Sequence, residues 1–443
     1  MWQLLMFRLI ITFAGFIIVL SCSSKQVKQP VEIKDSVAAS AVFPKEIFPV
    51  DSVIRSLTCA NDPTQSLALY LPPSYSSEVK LPVIVFFDPH GDGSLPVSKY
   101  HSLAKQFNYI LIGSNNAKNG LTLSQTNTII ATLLNDSKYR ISIDEQRISL
   151  AGFSGGAKVA LSYASDQNEI SNVIYAGAAV ALQHPNPGLV LLGFAGVNDM
   201  NYTDLLTFDQ SLAAHNLTHY LIEWNGKHEW PDAATFQHAF YWITFNSMRS
   251  HLQEPDKEII KEYKHQHEKA MQISTAPIAK AMLLNEALNF LHGISSTELY
   301  SQQLTTIGKN KTYQEEIIGK QQAVQKEQAL KQEYYSAFSQ KDLKWWNQEI
   351  ARMNSISDPV SKPMYQRLLG FISLACYSIS GNAIHQNQWE TAKKILAVYR
   401  LADPENADQA FFEACYFAKT ENPAQAITSL KRAVALGLKD PAK

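Results

Sequence analysis

Apolar and polar positions change their rhythm twice along this chain, near residue 46 and again near residue 253. Between those points short apolar runs alternate with amphipathic stretches. Residues 66–71 alternate and stop at Pro72-Pro73, whereas residues 81–87 are apolar nearly throughout, as a strand covered on both faces requires. Further strands are predicted over 109–113, 148–152, 172–175, 189–193 and 220–223, with helices over 97–107, 123–134, 157–164, 202–214 and 233–248. Strands that alternate with helices imply βαβ units. Segment 46–253 is therefore read as an α/β domain with a mostly parallel sheet flanked by helices. Ligands of such sheets bind beyond the C-terminal strand ends, so chemistry is sought there.

Past residue 253 the strand signal ends and an all-α region is predicted. Its first helices are expected over 254–271, 275–292 and 314–338, the last rich in Gln, Lys and Glu as an exposed helix would be. His265 and His267 lie two apart, on different helix faces, and are read as solvated rather than as metal ligands. From residue 363 a repeat emerges. Ala392, Leu396 and Tyr399 recur as Ala426, Leu430 and Ala433, each pair 34 positions apart. This period resembles that of tetratricopeptide repeats, one helical hairpin per unit, whose stacked surface suits a protein or peptide partner. The region is accordingly divided into helices over 254–362 and tetratricopeptide-like repeats over 363–443. Cys376 and Cys415 fall in the first helices of the two units and are read as buried thiols.

Four strand ends carry chemistry. Gly152-Phe153-Ser154-Gly155-Gly156 follows one strand directly and opens a helix rich in small residues. That is G-x-S-x-G in the strand–turn–helix setting that lifts a serine hydroxyl above a sheet. Asp88-Pro89-His90-Gly91-Asp92-Gly93 closes the strand 81–87, and small residues there let backbone N–H groups approach a developing oxyanion. The expected donors are the N–H of Gly155 and an N–H near Gly91 or Asp92. His90 precedes the serine in the chain and is read as structural. Asp199, after the strand 189–193, can accept the second ring N–H of a histidine; Asp204 and Glu223 are its rivals. His228, after the strand 220–223, can take a proton from Ser154 and return it to a leaving group.

The chain order Ser154, Asp199, His228 is that of α/β-hydrolases. With Asp88-Pro-His-Gly91, Gly196-x-x-Asp199 and Gly226-x-His-x-Trp-Pro231, residues 46–250 resemble the secreted esterases grouped with polyhydroxybutyrate depolymerases and feruloyl esterases. The resemblance implies an α/β-hydrolase fold, a Ser154–His228–Asp199 triad and an ester substrate, with no metal or cofactor. The disulfides common in secreted members have no counterpart here, since segment 46–253 holds only Cys59.

The N-terminus reads as an address. Arg8 precedes an apolar run over 9–20, the pattern of an export signal. Ser21-Cys22 after it resembles the bacterial lipobox, which implies that Cys22 is acylated and begins the mature protein. Residues 1–21 are thus read as a lipoprotein signal peptide and 22–45, rich in Ser, Lys, Gln and Pro, as a flexible tether. A lipid anchor would hold the protein to a membrane without a spanning helix. No acidic block follows Cys22, so the periplasmic side of the bacterial cell envelope is expected rather than the cell surface.

Composition narrows the alternatives. Hydrophobic residues make up 46% of the 443 and charged ones 18%, which fits a folded chain. The net charge of −1 lacks the basic footprint of a nucleic-acid binder, and four cysteines make no disulfide scaffold. No run beyond the N-terminus is read as membrane-spanning. The sequence therefore predicts a membrane-tethered serine esterase. Two other readings stay open: a serine peptidase with the same triad, and an envelope scaffold whose repeats bind partners beside a relic hydrolase domain. A fragment ending near Gln253 is expected to keep hydrolysing small esters.

Overall fold

The computed structural model describes residues 46–358 and 361–438. The signal segment 1–21, the lipidation candidate Cys22 and the tether 22–45 lie outside the described residues.

The described strands are β1 (Val53–Thr58), β2 (Ser66–Tyr70), β3 (Leu81–Phe87), β4 (Ile110–Ser114), β5 (Ile143–Phe153), β6 (Ile170–Ala176), β7 (Val190–Gly196) and β8 (Thr218–Trp224). They form one sheet in the order β1-β2-β4-β3-β5-β6-β7-β8. β1 and β2 run antiparallel to their neighbours, and the other six are parallel. β1 has no counterpart among the predicted strands. It is an edge strand with half its residues exposed, so it carries little apolar signal. The chain winds from β3 outward to β4, then crosses back to β5 on the other side of β3. The strand order thus reverses beside β3, the position beyond whose strand ends ligands of open α/β sheets bind.

Both faces of the sheet are covered, which explains why its central strands read as continuous apolar runs. Along β3, Val83, Val85 and Phe87 enter one core, and Ile84 and Phe86 enter the other. Helices α2 (Leu123–Arg140), α3 (Gly155–Ser165) and α4 (Tyr202–Leu212) cover the first face, and α1 (Ser94–Phe107) and α5 (Ala233–Arg249) the second. Helix starts follow local chemistry. Thr122 and Gln125 form a reciprocal capping box on α2, and the Asp232 carboxylate accepts the Thr235 N–H at the head of α5. The architecture is the α/β-hydrolase arrangement, followed by an all-helical C-terminal region.

That region comprises α6 (Lys257–Ile273), α7 (Pro277–Leu291), α8 (Glu298–Gly308), α9 (Lys311–Gln340), α10 (Leu343–Asn354), α11 (Lys362–His385), α12 (Trp389–Ala402), α13 (Ala407–Lys419) and α14 (Pro423–Ala435). α8 and α10 are short and were not among the predicted helices. α12 and α14 begin 34 residues apart, at Trp389 and Pro423. A helical core gathers Tyr334, Trp346, Leu368, Ile372, Cys376 and Tyr399. Burial raises the pKa of the Cys376 thiol, whereas Cys415 is only partly buried.

Three expectations change. His265 is exposed, but His267 is buried between α6 and α7, where its Nε2–H donates to the Leu283 carbonyl at 3.0 Å. α11 is long and apolar enough to cross a bilayer, although no spanning run was expected there. It packs Leu368 and Ile372 into the helical core and carries the buried Arg367. Finally, Tyr263 of α6 and Phe290 and Leu291 of α7 belong to the same core as Tyr241, Trp242 and Phe245 of α5. Tyr263 stacks on Phe290 at 5.5 Å, and Phe290 lies 4.9 Å from Trp242. A fragment cut near Gln253 would expose this aromatic cluster.

Candidate functional site

The site lies at the reversal of strand order. β5 ends at Phe153 and α3 begins at Gly155, so Ser154 alone makes the turn. It does so at φ 52° and ψ −119°, a backbone conformation that costs a non-glycine residue energy and collects at functional sites. Its N–H is held by the Ala176 carbonyl at 2.8 Å. The glycines on either side are needed for close approach. A Cβ on Gly152 would fall 2.2 Å from the Gly156 carbonyl oxygen, and one on Gly156 would fall 1.9 Å from that of Phe87. α3 is thereby pressed against β3 and β5, with the serine at its head.

His228 lies on the loop between β8 and α5. Its Nε2 is 3.0 Å from Ser154 Oγ, and its Nδ1 is 3.0 and 2.9 Å from the two carboxylate oxygens of Asp199. A carboxylate only accepts, so Nδ1 carries the proton and Nε2 is left to accept from the serine hydroxyl. Asp199 is 1% exposed, and its Oδ1 also takes the Asn201 N–H at 2.8 Å. Its loop is tied to the histidine loop, because Val197 and Asn198 donate their N–H groups to the Trp224 and Gly226 carbonyls. The two rivals are engaged elsewhere: Asp204 meets Lys331, and Glu223 accepts from the Tyr202 hydroxyl and pairs with Lys320.

Three N–H groups of the β3–α1 loop are taken. His90 donates to Asp88 Oδ1, Gly91 to the Asp88 carbonyl and Gly93 to Asn115 Oδ1. The Asp92 N–H has no partner among the described residues, and neither has that of Gly155, whose place in the first turn of α3 leaves it without an intrahelical acceptor. His90 is exposed and makes no side-chain hydrogen bond among the described residues.

Sequence reasoning left three neighbours without a role. Asp88 is buried and joins the two loops that flank the site, accepting from His90 N–H and, at 2.9 Å, from Trp230 Nε1–H. Phe153 lies with its ring 4.8 Å from the His228 ring. Asn119, on the loop after β4, sits so close to Gly155 that a Cβ there would fall 1.8 Å from its Oδ1. Asp88 and Trp230 were visible as motif residues, but a bond across 142 positions leaves no local signal. Among the described residues no group of three or more His, Cys, Asp or Glu side chains could hold a metal ion.

No family model matches the chain, and no curated protein matches it. Solved structures resemble part of the chain at low identity. S-formylglutathione hydrolase from Staphylococcus aureus is 16% identical, with a TM-score of 0.37 over 43% of this chain and 98% of that one. Esterase B from Lactobacillus rhamnosis is 17% identical, with a TM-score of 0.37 over 46% of this chain and 91% of its own. A ferulic acid esterase is 16% identical, with a TM-score of 0.35 over 43% and 95%.

Proposed function

We propose that the chain is a serine hydrolase of carboxylic esters, working through an acyl-enzyme on Ser154. The observation that carries this reading is the continuous hydrogen-bonded line from Ser154 Oγ through both nitrogens of His228 to the buried Asp199. In the first half-reaction Ser154 Oγ attacks the acyl carbonyl while His228 Nε2 takes its proton. Asp199 holds the ring in that tautomer and faces the imidazolium as it forms. The negative charge on the tetrahedral oxygen is met by the N–H groups of Gly155 and Asp92, the former at the positive end of α3. His228 then gives its proton to the departing alcohol. In the second half water repeats the sequence on the acyl-enzyme and frees the acid.

A peptidase would use the same groups, so the alcohol leaving group is what separates the two readings. The test is a panel of p-nitrophenyl esters and peptide p-nitroanilides offered to the full chain and to Ser154→Ala. The proposal expects ester turnover that disappears in Ser154→Ala, and little amide turnover. Faster amide than ester cleavage would favour the peptidase, and turnover equal in Ser154→Ala would remove the serine mechanism.

The place of action is proposed from the N-terminus. Acyl groups on Cys22 would anchor the protein in the bacterial envelope, facing the periplasm. The helical repeats are proposed to bind a protein or peptide. A groove of ≈ 860 Å³ supports this, with Leu396, Tyr416 and Phe417 as apolar walls and Lys344, Lys393 and Arg400 as cations along it. The relic-scaffold alternative draws no support from a site in which all three polar partners are in hydrogen-bonding range.

A further inference from the structure

The loop that carries Asp199 is gripped from outside the sheet domain. Arg367 of α11 donates from one guanidinium nitrogen to the Val197 carbonyl at 2.5 Å and turns its other two to the Glu327 carboxylate of α9. Glu327 is 0% exposed and Arg367 is 6% exposed. The guanidinium also lies 4.7 Å over the Tyr202 ring, at the start of α4. Four residues along α9, Lys331 donates to the Met200 carbonyl at 2.7 Å and to Thr203 Oγ1 at 2.9 Å, and it too is buried. Gly370 of α11 lets that helix come close. A Cβ on it would fall 3.2 Å from Met200 Cβ. The two carbonyls held this way, of Val197 and Met200, bracket Asn198-Asp199.

We propose that Arg367 and Lys331 are positioning residues for the hydrolytic site. On this account α9 and α11 fix the 197–200 loop, and with it the carboxylate that orients His228, so the helical region completes the site from behind. The inference rests on the triad reading of Ser154, His228 and Asp199. Its physical basis is that a charge pair this deeply buried is a poor source of stability by itself. Its geometry instead directs a spare guanidinium donor at one carbonyl of a loop whose misplacement by about 1 Å costs on the order of a hundredfold in rate.

Arg367→Met alone would strand the Glu327 charge, so the principal variant is Arg367→Met with Glu327→Leu in the full chain, alongside Lys331→Met. Folding is checked by circular dichroism and melting temperature. The readouts are kcat and KM for p-nitrophenyl acetate and the rate of fluorophosphonate labelling, each in the Asp199 and Asp199→Asn backgrounds. The expected result is a loss of kcat of about tenfold to a hundredfold with KM within about twofold. In the Asp199→Asn background the same substitutions should remove nothing further, because their effect passes through that carboxylate. Wild-type kcat in the folded double variant, or an equal loss in both backgrounds, overturns the proposal. Should the double variant not fold, Arg367→Lys decides. It keeps a cation beside Glu327 but cannot reach both partners with a planar fork, so wild-type kcat in it overturns the proposal and a kcat loss confined to the Asp199 background supports it. Failure of the triad reading looks different: Ser154→Ala would then keep both labelling and turnover, whatever the clamp variants do.

Discussion

The two glycines after Ser154 make opposite demands, and substituting each in turn examines the elbow geometry. In Gly156→Ala the new Cβ would lie 1.9 Å from the Phe87 carbonyl oxygen and 2.6 Å from its carbon, both backbone atoms of a central strand. Ordinary contact begins at 3.4 Å, so α3 and β3 would have to part by up to about 1.5 Å. Overpacking of this kind costs about 1–3 kcal/mol, and the backbone partner puts the change at the upper end. At roughly 2–4 °C per kcal/mol, the melting temperature should fall by about 6–12 °C. Because Ser154 opens α3, its hydroxyl moves with the helix, and labelling by a fluorophosphonate should slow on the order of a hundredfold. Gly155→Ala meets only the exposed Asn119 side chain, which can swing aside. It exchanges glycine for the best helix former in the first turn of α3, so stability should hold or rise by up to about 1 kcal/mol. The assay is paired melting and labelling of the two variants. A Gly156→Ala protein with the melting temperature and labelling rate of the parent would refute the packing argument.

Three further outcomes are expected. A fragment ending at Gln253 should aggregate or lose activity, since Trp242 and Phe245 lose the cover of Tyr263 and Phe290; a monodisperse, fully active fragment on size-exclusion chromatography would contradict this. His238 on α5 lies 2.8 Å from the Glu286 carboxylate of α7; burial opposes its charge, but Glu286 outweighs burial and raises its pKa above the ordinary 6.5. Burial likewise opposes the Glu286 charge, yet His238 and the Tyr263 hydroxyl hold its pKa below 4.5. The pair should therefore stabilise most between pH 4.5 and 6.5, fading as pH rises through the His238 value or falls through that of Glu286. The melting difference between parent and His238→Gln across pH 4 to 9 checks this, and a difference that grew steadily toward pH 9 would reverse the sign. Cys22→Ser should leave the membrane fraction or stall in processing, and continued labelling by a palmitate analogue would place the anchor elsewhere.

Much of the sheet domain was legible because its signals are local. Residues 81–87 are apolar on both faces, and the turn at Ser154 needs glycines at fixed offsets. The positions of Asp199 and His228 followed from strand ends and chain order. β1 escaped notice because half its residues are exposed at the edge of the sheet and none is fully buried, which leaves little apolar signal. His267 was misread because its burial comes from α7, which the spacing within α6 does not report. The Arg367–Glu327 pair and its hold on Val197 join residues 40 and 170 positions apart, and no pattern within either segment announces the contact. Local rhythm shows which residues can do chemistry. Which of them are held still depends on tertiary neighbours that the rhythm does not encode.

The central claim is that Ser154 is a nucleophile activated by His228 and oriented by Asp199. It is tested most directly by incubating the full chain with a fluorophosphonate and mapping the adduct by peptide mass spectrometry. The account predicts a single adduct on the peptide bearing Gly152-Phe153-Ser154-Gly155-Gly156, absent in Ser154→Ala, nearly absent in His228→Ala and slowed in Asp199→Asn. An adduct on another serine, or undiminished labelling in His228→Ala, would contradict it.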